Sequence, residues 1–410
     1  MVNWSWYPTG GDWTAVENLT KLYHAKGHTV IPFSMKHQKN YATPYDKYFV
    51  NTIDYRELQN RKTLSNGIRV LRRSIYSKES RVKLDELLRS VPVHIAHLHN
   101  LGPQITPSIL SLLKSRSIPV IWTLHDYGML CPATSFFTGG EVCERCKGSK
   151  YYHCIIHKCK KNSTPASLVA SMRSYIIKFI NIRKYVDFFI CPSKFIMSKF
   201  VEYGFSEEQL IHLYNMYDVH GLQKQNDGQS HPYSNYIIYI GRIEKIKGVM
   251  TLLKAIRHIS DVHLLIVGTG EDEAECRAYV AQQNISNVQF LGQVEKSTVI
   301  TLLRYSLFAV CPSEWYENFP YVIVEGMLLS KPFIGSRIGG IPELVIDGHT
   351  GYTFRAGDVD DLRGKILLLL NDQARTKELG ANAREHVTLL VDPESHYKVM
   401  DGIFQKLLRN

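Results

Sequence analysis

Two carboxylates, Glu317 and Glu325, flank the run Asn318-Phe319-Pro320-Tyr321-Val322-Ile323-Val324. Asn318-Phe319-Pro320 reads as a turn and the apolar residues after it as a helix start, with Pro320 in the first turn, where its missing N–H costs nothing. A helix start leaves backbone N–H groups unbonded and facing whatever binds in front of the loop. Glu317 then stands at the loop mouth and Glu325 about two turns along the helix. One can reach a sugar hydroxyl while the other reaches a ribose; the plainer alternative is two solvated charges at a helix start. A second cluster, Gly241-Arg242-Ile243-Glu244-Lys245-Ile246-Lys247-Gly248, follows a continuous apolar strand expected over Tyr236–Ile240 and opens a helix near Val249. Arg242 offers a fork of donors, Lys247 a point charge, and the helix its positive end, a set suited to a leaving diphosphate. The alternative is a surface basic pair.

A third group could hold a metal. Cys131, Cys143, Cys146, Cys154 and Cys159, five of the 8 cysteines, lie close together with His153 and His157 interleaved. The pair Cys143-x-x-Cys146 offers two ligands from one turn, as a structural zinc site requires, and the rest would complete a small knuckle on an inserted loop. Free buried thiols are the alternative, and a disulfide is not expected in a reducing compartment.

These groups need elements to position them. Met1–Tyr7 reads as a short strand, Gly10 and Gly11 as a turn, Trp13–Lys26 as an amphipathic helix and Thr29–Ser34 as a second strand, the βαβ opening of a doubly wound domain. Further strands are expected over His94–His99 and Ile118–Leu124, the latter ending at His125-Asp126. His97 and His99 read as structural or acceptor-lining. Phe188–Cys191 is another strand, and the polar stretch Lys224–Ser234 reads as a linker. In the second half, strands are expected at Leu264–Val267, Val288–Val294 and Phe308–Cys311. Gly268-Thr269-Gly270 is a turn, Pro332–Gly335 a strand running into Gly339-Gly340-Ile341-Pro342-Glu343, and Ser395–Leu408 a last amphipathic helix.

At 410 residues the chain is long enough for two domains, each with its own core. Residues 1–220 carry 13 more basic than acidic side chains and the remainder is near neutral, against a total of +11. A basic first half suggests that it meets something anionic, such as lipid headgroups, a pyrophosphate-bearing acceptor or nucleic acid. Residues 55–90 join Arg61, Lys62, Arg69, Arg72 and Arg73 to an apolar stripe of Leu64, Ile68, Leu71 and Ile75, a candidate membrane-surface face, and Ser167–Lys184 repeats the character. No run approaches a membrane span and no signal peptide is visible, so the reading is a cytoplasmic protein at the inner face of the plasma membrane.

Taken together, E-x7-E, the small-residue strand after it, GG-x-PE and GR-x4-KG occur in register and resemble the donor-binding signature of the retaining, GT-B-fold glycosyltransferases of family 4. The HDY…CP…C-x-x-C…C…C run resembles a subset of that family in bacterial surface-polysaccharide assembly (O-antigen or capsule). The resemblance implies an α/β chain of two Rossmann-like lobes facing a deep cleft. Residues 1–220 would form an acceptor domain, 221–394 a nucleotide-sugar domain, and 395–410 a helix crossing back to the first.

It further implies that Arg242 and Lys247 hold the donor diphosphate and that Gly10 and Gly11 let backbone approach its phosphates. The Gly292–Val294 backbone would meet the nucleobase, with Gly241 at the phosphate loop. Glu317, beside the Asn318 and Phe319 N–H groups, would position the sugar, and Glu325 the ribose. His125 would face the sugar from the other lobe, a buried structural histidine being the alternative. No D-x-D motif appears in the expected cleft loops, so no catalytic metal is called for. The expected partners are a UDP- or GDP-sugar donor and a glycan or lipid-linked acceptor, with peripheral contact to an anionic membrane and no nucleic acid. Two other readings stay open: a nucleotide-sugar epimerase or hydrolase on the same fold, and a nucleic-acid-binding protein with a zinc knuckle.

Overall fold

The computed structural model describes residues 1–52, 76–219, 222 and 232–409. The basic stripe over Arg61–Ile75 and most of the linker expected over Lys224–Ser234 lie outside the described residues. Twelve strands are described in chain order: β1 (Ala96–Leu98), β2 (Val120–Thr123), β3 (Phe137–Thr138), β4 (Glu141–Val142), β5 (Phe188–Cys191), β6 (Leu210–His212), β7 (Tyr236–Ile240), β8 (His263–Val267), β9 (Val288–Gly292), β10 (Ala309–Cys311), β11 (Phe333–Ser336) and β12 (Gly351–Phe354). The chain divides into two compact units, one of Met1–Phe136, Glu144–Met216 and Pro393–Asn410, the other of Phe137–Cys143 and Tyr217–Asp392.

The first unit is built on the parallel sheet β1-β2-β5-β6. The opening residues extend it without forming a regular strand. Val2 bridges both Phe33 and Leu98, and Met35 bridges Val50, all in parallel sense. The strands expected at Met1–Tyr7 and Thr29–Ser34 are thus reduced to isolated bridges, although Val2 N still donates to His97 O at 2.8 Å and Phe33 N to Met1 O at 2.9 Å. The first helix runs Gly11–Ala25, burying Leu19, Leu22 and Tyr23 against Ile121, Ile190, Met400 and Ile403. Met400 and Ile403 come from the last helix, Pro393–Arg409, whose Glu394 pairs with Lys26 at 2.6 Å and whose His396 Nδ1 lies 3.0 Å from the Tyr214 carbonyl.

The second unit has a six-stranded sheet in the order β12-β11-β10-β7-β8-β9, parallel throughout. Helices cover its faces, as continuous apolar strands such as Tyr236–Ile240 require, and Leu252, Ile256, Leu362 and Ile366 lie in its core. From β7 the chain proceeds to β8 and β9 on one side, then returns to place β10 on the other. The point where strand order reverses is therefore between β7 and β10, and ligands of open α/β sheets gather beyond the strand ends there. The loops leaving those two strands carry Gly241–Gly248 and Pro312–Pro320. The hairpin β3–β4, interrupting the cysteine-rich insertion, belongs to this unit, and the Gly140 position lies 3.5 Å from the Lys245 side chain.

Candidate functional site

At the switch point of the second unit the loop after β7 is held by close backbone packing. Ile243 N donates to Thr269 O at 2.9 Å, and a Cβ on Gly270 would stand 2.1 Å from Ile243 O. Gly268-Thr269-Gly270 is thus a turn, and one on which the phosphate-type loop rests. A 3-10 turn, Lys245–Lys247, leads to Gly248 at φ 68° and then to the helix Val249–Ile256. A Cβ on Gly248 would lie 1.9 Å from the Pro312 carbonyl oxygen, so only glycine lets the two loops meet.

That meeting puts Lys247 Nζ 2.6 Å from Glu317 Oε1. The same oxygen accepts from Ser313 Oγ at 2.7 Å and Trp315 Nε1 at 2.8 Å. The Trp315 ring also lies 5.0 Å from Lys247 Nζ. Burial by itself raises the Glu317 carboxyl, but the Lys247 charge and the three hydrogen bonds outweigh it and hold the group below its ordinary range. All three of these hydrogen bonds fall on the same carboxylate oxygen, Oε1. From behind, Gly340 N donates to Glu317 O at 2.7 Å, which brings the GG-x-PE turn against the same loop.

The remaining residues divide. Pro320 is the residue before the helix Tyr321–Leu328 rather than part of its first turn. Glu325 therefore sits in the helix's second turn, buried, and is bonded to Tyr217 OH at 3.1 Å and to Lys296. Arg242 pairs with Glu244 at 2.7 Å and its side chain is largely exposed. Of the two cations and two acids, the structure joins Lys247 to Glu317 directly and gives Arg242 and Glu325 separate partners. Phe319 is buried beside Tyr321. Gly292 closes β9, with Gly268 N donating to its carbonyl at 2.8 Å, and Val294 follows in the loop. Ser313 and Trp315 were not among the expected site residues, though both lie within four positions of Glu317. Nothing local marked Tyr217 and Lys296.

In the first unit, Gly10 precedes and Gly11 begins the first helix. Asp12 takes the Trp4 indole N–H at 3.0 Å. Three imidazoles lie side by side in this unit. His97 and His99 ring centroids are 4.3 Å apart and those of His99 and His125 are 5.2 Å apart. His99 Nδ1 and His125 Nε2 share one hydrogen bond at 2.9 Å, while His99 Nε2 has no partner. A proton on His99 Nδ1 leaves only a lone pair unsatisfied, so the hydrogen-bond network assigns the donor to His99 and places the His125 proton on Nδ1. Burial pushes His125 down to about 4, against a smaller upward pull from Asp12, and burial also lowers His97 and His99. His125 is therefore a neutral N–H donor at neutral pH.

Among the described residues no three His, Cys, Asp or Glu side chains are arranged to hold a metal ion. Cys146 and Cys154, with Cys159 against them, pack around Tyr151. The hydrogen bond with Cys159 and then burial raise the Cys154 thiol, and burial raises Cys131. Cys143 groups with the other unit.

Two Rossmann-like α/β units with parallel sheets define the class, the GT-B glycosyltransferase fold. The chain superposes on sucrose-phosphate synthase of Thermosynechococcus elongatus with a TM-score of 0.70 at 19% identity, covering 99% of this chain and 96% of the other. Anabaena HepE, solved in complex with UDP, gives 0.66 at 16% identity over 99% and 98%. The chain belongs to glycosyltransferase family 4. The model described as Glycosyltransferase Family 4 matches residues 9–220, and that of Glycosyl transferases group 1 matches residues 222–386. An uncharacterized glycosyltransferase of Methanocaldococcus jannaschii is 34% identical over 303 residues, 73% of this chain and 72% of that one. Mycobacterium tuberculosis glycogen synthase is matched over 38% of its own length, and a second uncharacterized Methanocaldococcus jannaschii glycosyltransferase over 60%. Among the described residues, no helix is long and apolar enough to cross a membrane.

Proposed function

We propose that this glycosyltransferase moves a sugar from a nucleoside-diphosphate donor to a glycan or lipid-linked acceptor, with retention at the anomeric carbon and without a catalytic metal. The donor binds the second unit and the acceptor the first. The observation that carries this reading is the Lys247–Glu317 junction at the switch point of a parallel sheet. In the reaction the bond from the anomeric carbon to the diphosphate oxygen breaks and its electron pair leaves on the diphosphate, while the acceptor hydroxyl oxygen bonds to that carbon on the same face and its proton passes to the departing diphosphate. Lys247, with Arg242, neutralises that charge, the largest electrostatic contribution such a site offers. Glu317, tied by three donors through one oxygen, is placed to accept from a sugar hydroxyl through the other, beside the Asn318 and Phe319 N–H groups.

Glu325 holds the ribose and the Gly292–Val294 backbone meets the base. Gly10 and Gly11 approach the phosphates, and His125 donates from Nδ1 to the sugar. Nucleotide-sugar use is supported by family membership and by a fold shared with a protein solved with UDP. The cysteine run's likeness to surface-polysaccharide enzymes supports an acceptor in that pathway class. Replacing Lys247 by Ala should lower acceptor-dependent release of nucleoside diphosphate by roughly 100-fold or more in a chain that still folds, at a lower melting temperature because Glu317 loses its buried partner. Full activity in that variant removes the assignment, and release that needs no acceptor makes the protein a hydrolase.

A further inference from the structure

The helix Thr164–Ile180 in the first unit is turned the opposite way from an ordinary surface helix. Its buried positions are Ser167, Ser171 and Ser174. Ser171 Oγ donates to Tyr151 O at 2.9 Å, and Ser167 Oγ accepts from Lys160 N at 3.0 Å. Four of its large apolar residues face solvent, Leu168, Met172, Tyr175 and Phe179, at 45, 38, 41 and 91% exposed, while Val169, Ile176, Ile177 and Ile180 are half-buried. Spacings of four, three and four put the exposed residues on one face, a strip about 16 Å long at helical rise. The helix Tyr152–Ile156 packs alongside and adds Tyr152 and Ile156, 46 and 64% exposed.

The charge on this segment has one sign. Between Lys147 and Val186 the sequence has nine Lys or Arg and no Asp or Glu, and Lys150, Lys158, Lys161, Lys178 and Lys184 are exposed. An apolar strip on a segment whose charges are all cationic, with Lys147 alone among the named lysines paired to an acid from outside it (Glu202, 3.3 Å), matches the boundary of an anionic bilayer, where hydrocarbon takes the side chains and headgroups meet the lysines. A phosphodiester backbone would satisfy the lysines but leave Ile156, Leu168 and Met172 in water.

We propose that this face, Tyr152–Ile156 with Leu168, Met172, Tyr175 and Phe179, is a docking surface for an anionic lipid bilayer. The first unit would lie on the surface without spanning it. The inference is independent of the transfer reaction, and the Lys247→Ala variant should bind vesicles as wild type does.

The full chain is sedimented with phosphatidylcholine vesicles, with and without phosphatidylserine, in rising salt. Expected is binding to the anionic vesicles alone, weakened by salt and lowered by roughly tenfold or more in a Leu168→Glu, Phe179→Glu variant. That variant should keep the wild-type melting temperature and its activity on a water-soluble acceptor. No binding to anionic vesicles, equal binding to neutral ones, or binding unchanged by the two substitutions overturns the proposal. So does a concentration-dependent dimer that the same substitutions abolish in a protein with no vesicle affinity, which would make the occupant a second copy. Salt-sensitive binding to nucleic acid without vesicle binding overturns it as well.

Discussion

Three donors converge on one oxygen of Glu317, and they do different work. Lys247 supplies the charge, Ser313 a hydroxyl, and Trp315 an N–H from a ring that also lies against the Lys247 ammonium. Trp315→Phe keeps the ring and removes only the N–H. A hydrogen bond to a charged group contributes about 1.5–3 kcal/mol; with two donors still in place, the expected loss in kcat/KM is roughly tenfold, with the fold intact. A variant within about twofold of wild type would mean that the indole does not hold the carboxylate in the working enzyme. Ser313 and Trp315 could have been found from sequence, since polar donors two and four residues before a loop carboxylate are within reach of it. Tyr217 and Lys296 could not, because they reach Glu325 across 108 and 29 positions.

At the scale of elements, the site is a contact between two loops that leave neighbouring strands, and Gly248 is where they touch. Gly248→Ala meets both a positive φ of 68° and the Pro312 carbonyl at 1.9 Å. It should destabilise the second unit by about 2–4 kcal/mol, read as a lower denaturant midpoint, with loss of donor affinity. Gly364 is an internal control, a glycine within the helix Val359–Asn371 with nothing within 4 Å of its added Cβ. Gly364→Ala should be stabilising by about 0.5–1 kcal/mol. If both substitutions shift the midpoint alike, the close approach of the loops is not what requires Gly248. Most second-unit elements were legible, because apolar runs such as Leu264–Val267 end at glycine turns. The opening Met1–Tyr7 was not: its pairing is set by partners around residues 33 and 98, which local pattern does not reveal.

At the scale of the molecule, the first unit buries histidines in their neutral form, and this sets a pH limit. Burial holds His125 and His396 to about 4 and places His97 and His99 well below the ordinary value of 6.5. Their folded values lie below the unfolded one, so the unfolded chain binds more protons once the pH drops under about 6.5. The stability they support is complete above that pH and is lost as the pH falls towards the folded values, at about 1.4 kcal/mol per unit for each group. Four of the 5 tryptophans, Trp4, Trp6, Trp13 and Trp122, lie in the first unit, so tryptophan fluorescence during denaturation reports chiefly on it. Stability should fall markedly between pH 7.5 and pH 5, by roughly 2 kcal/mol for His396 alone; equal midpoints would show that these rings are not held neutral.

The sequence by itself determined the two α/β units and the residue types carried by the loops at the ends of their strands. Periodicity, glycine turns and strand-end motifs are local, and they survive without knowledge of what packs against them. Only the tertiary structure decided that Lys247 meets Glu317 while Arg242 and Glu325 take other partners, and that Cys146, Cys154 and Cys159 gather around Tyr151. The same holds for the helix that buries serines and exposes Phe179. Each depends on contacts between segments far apart in the chain, where burial and hydrogen-bond geometry, not spacing, select the pairing.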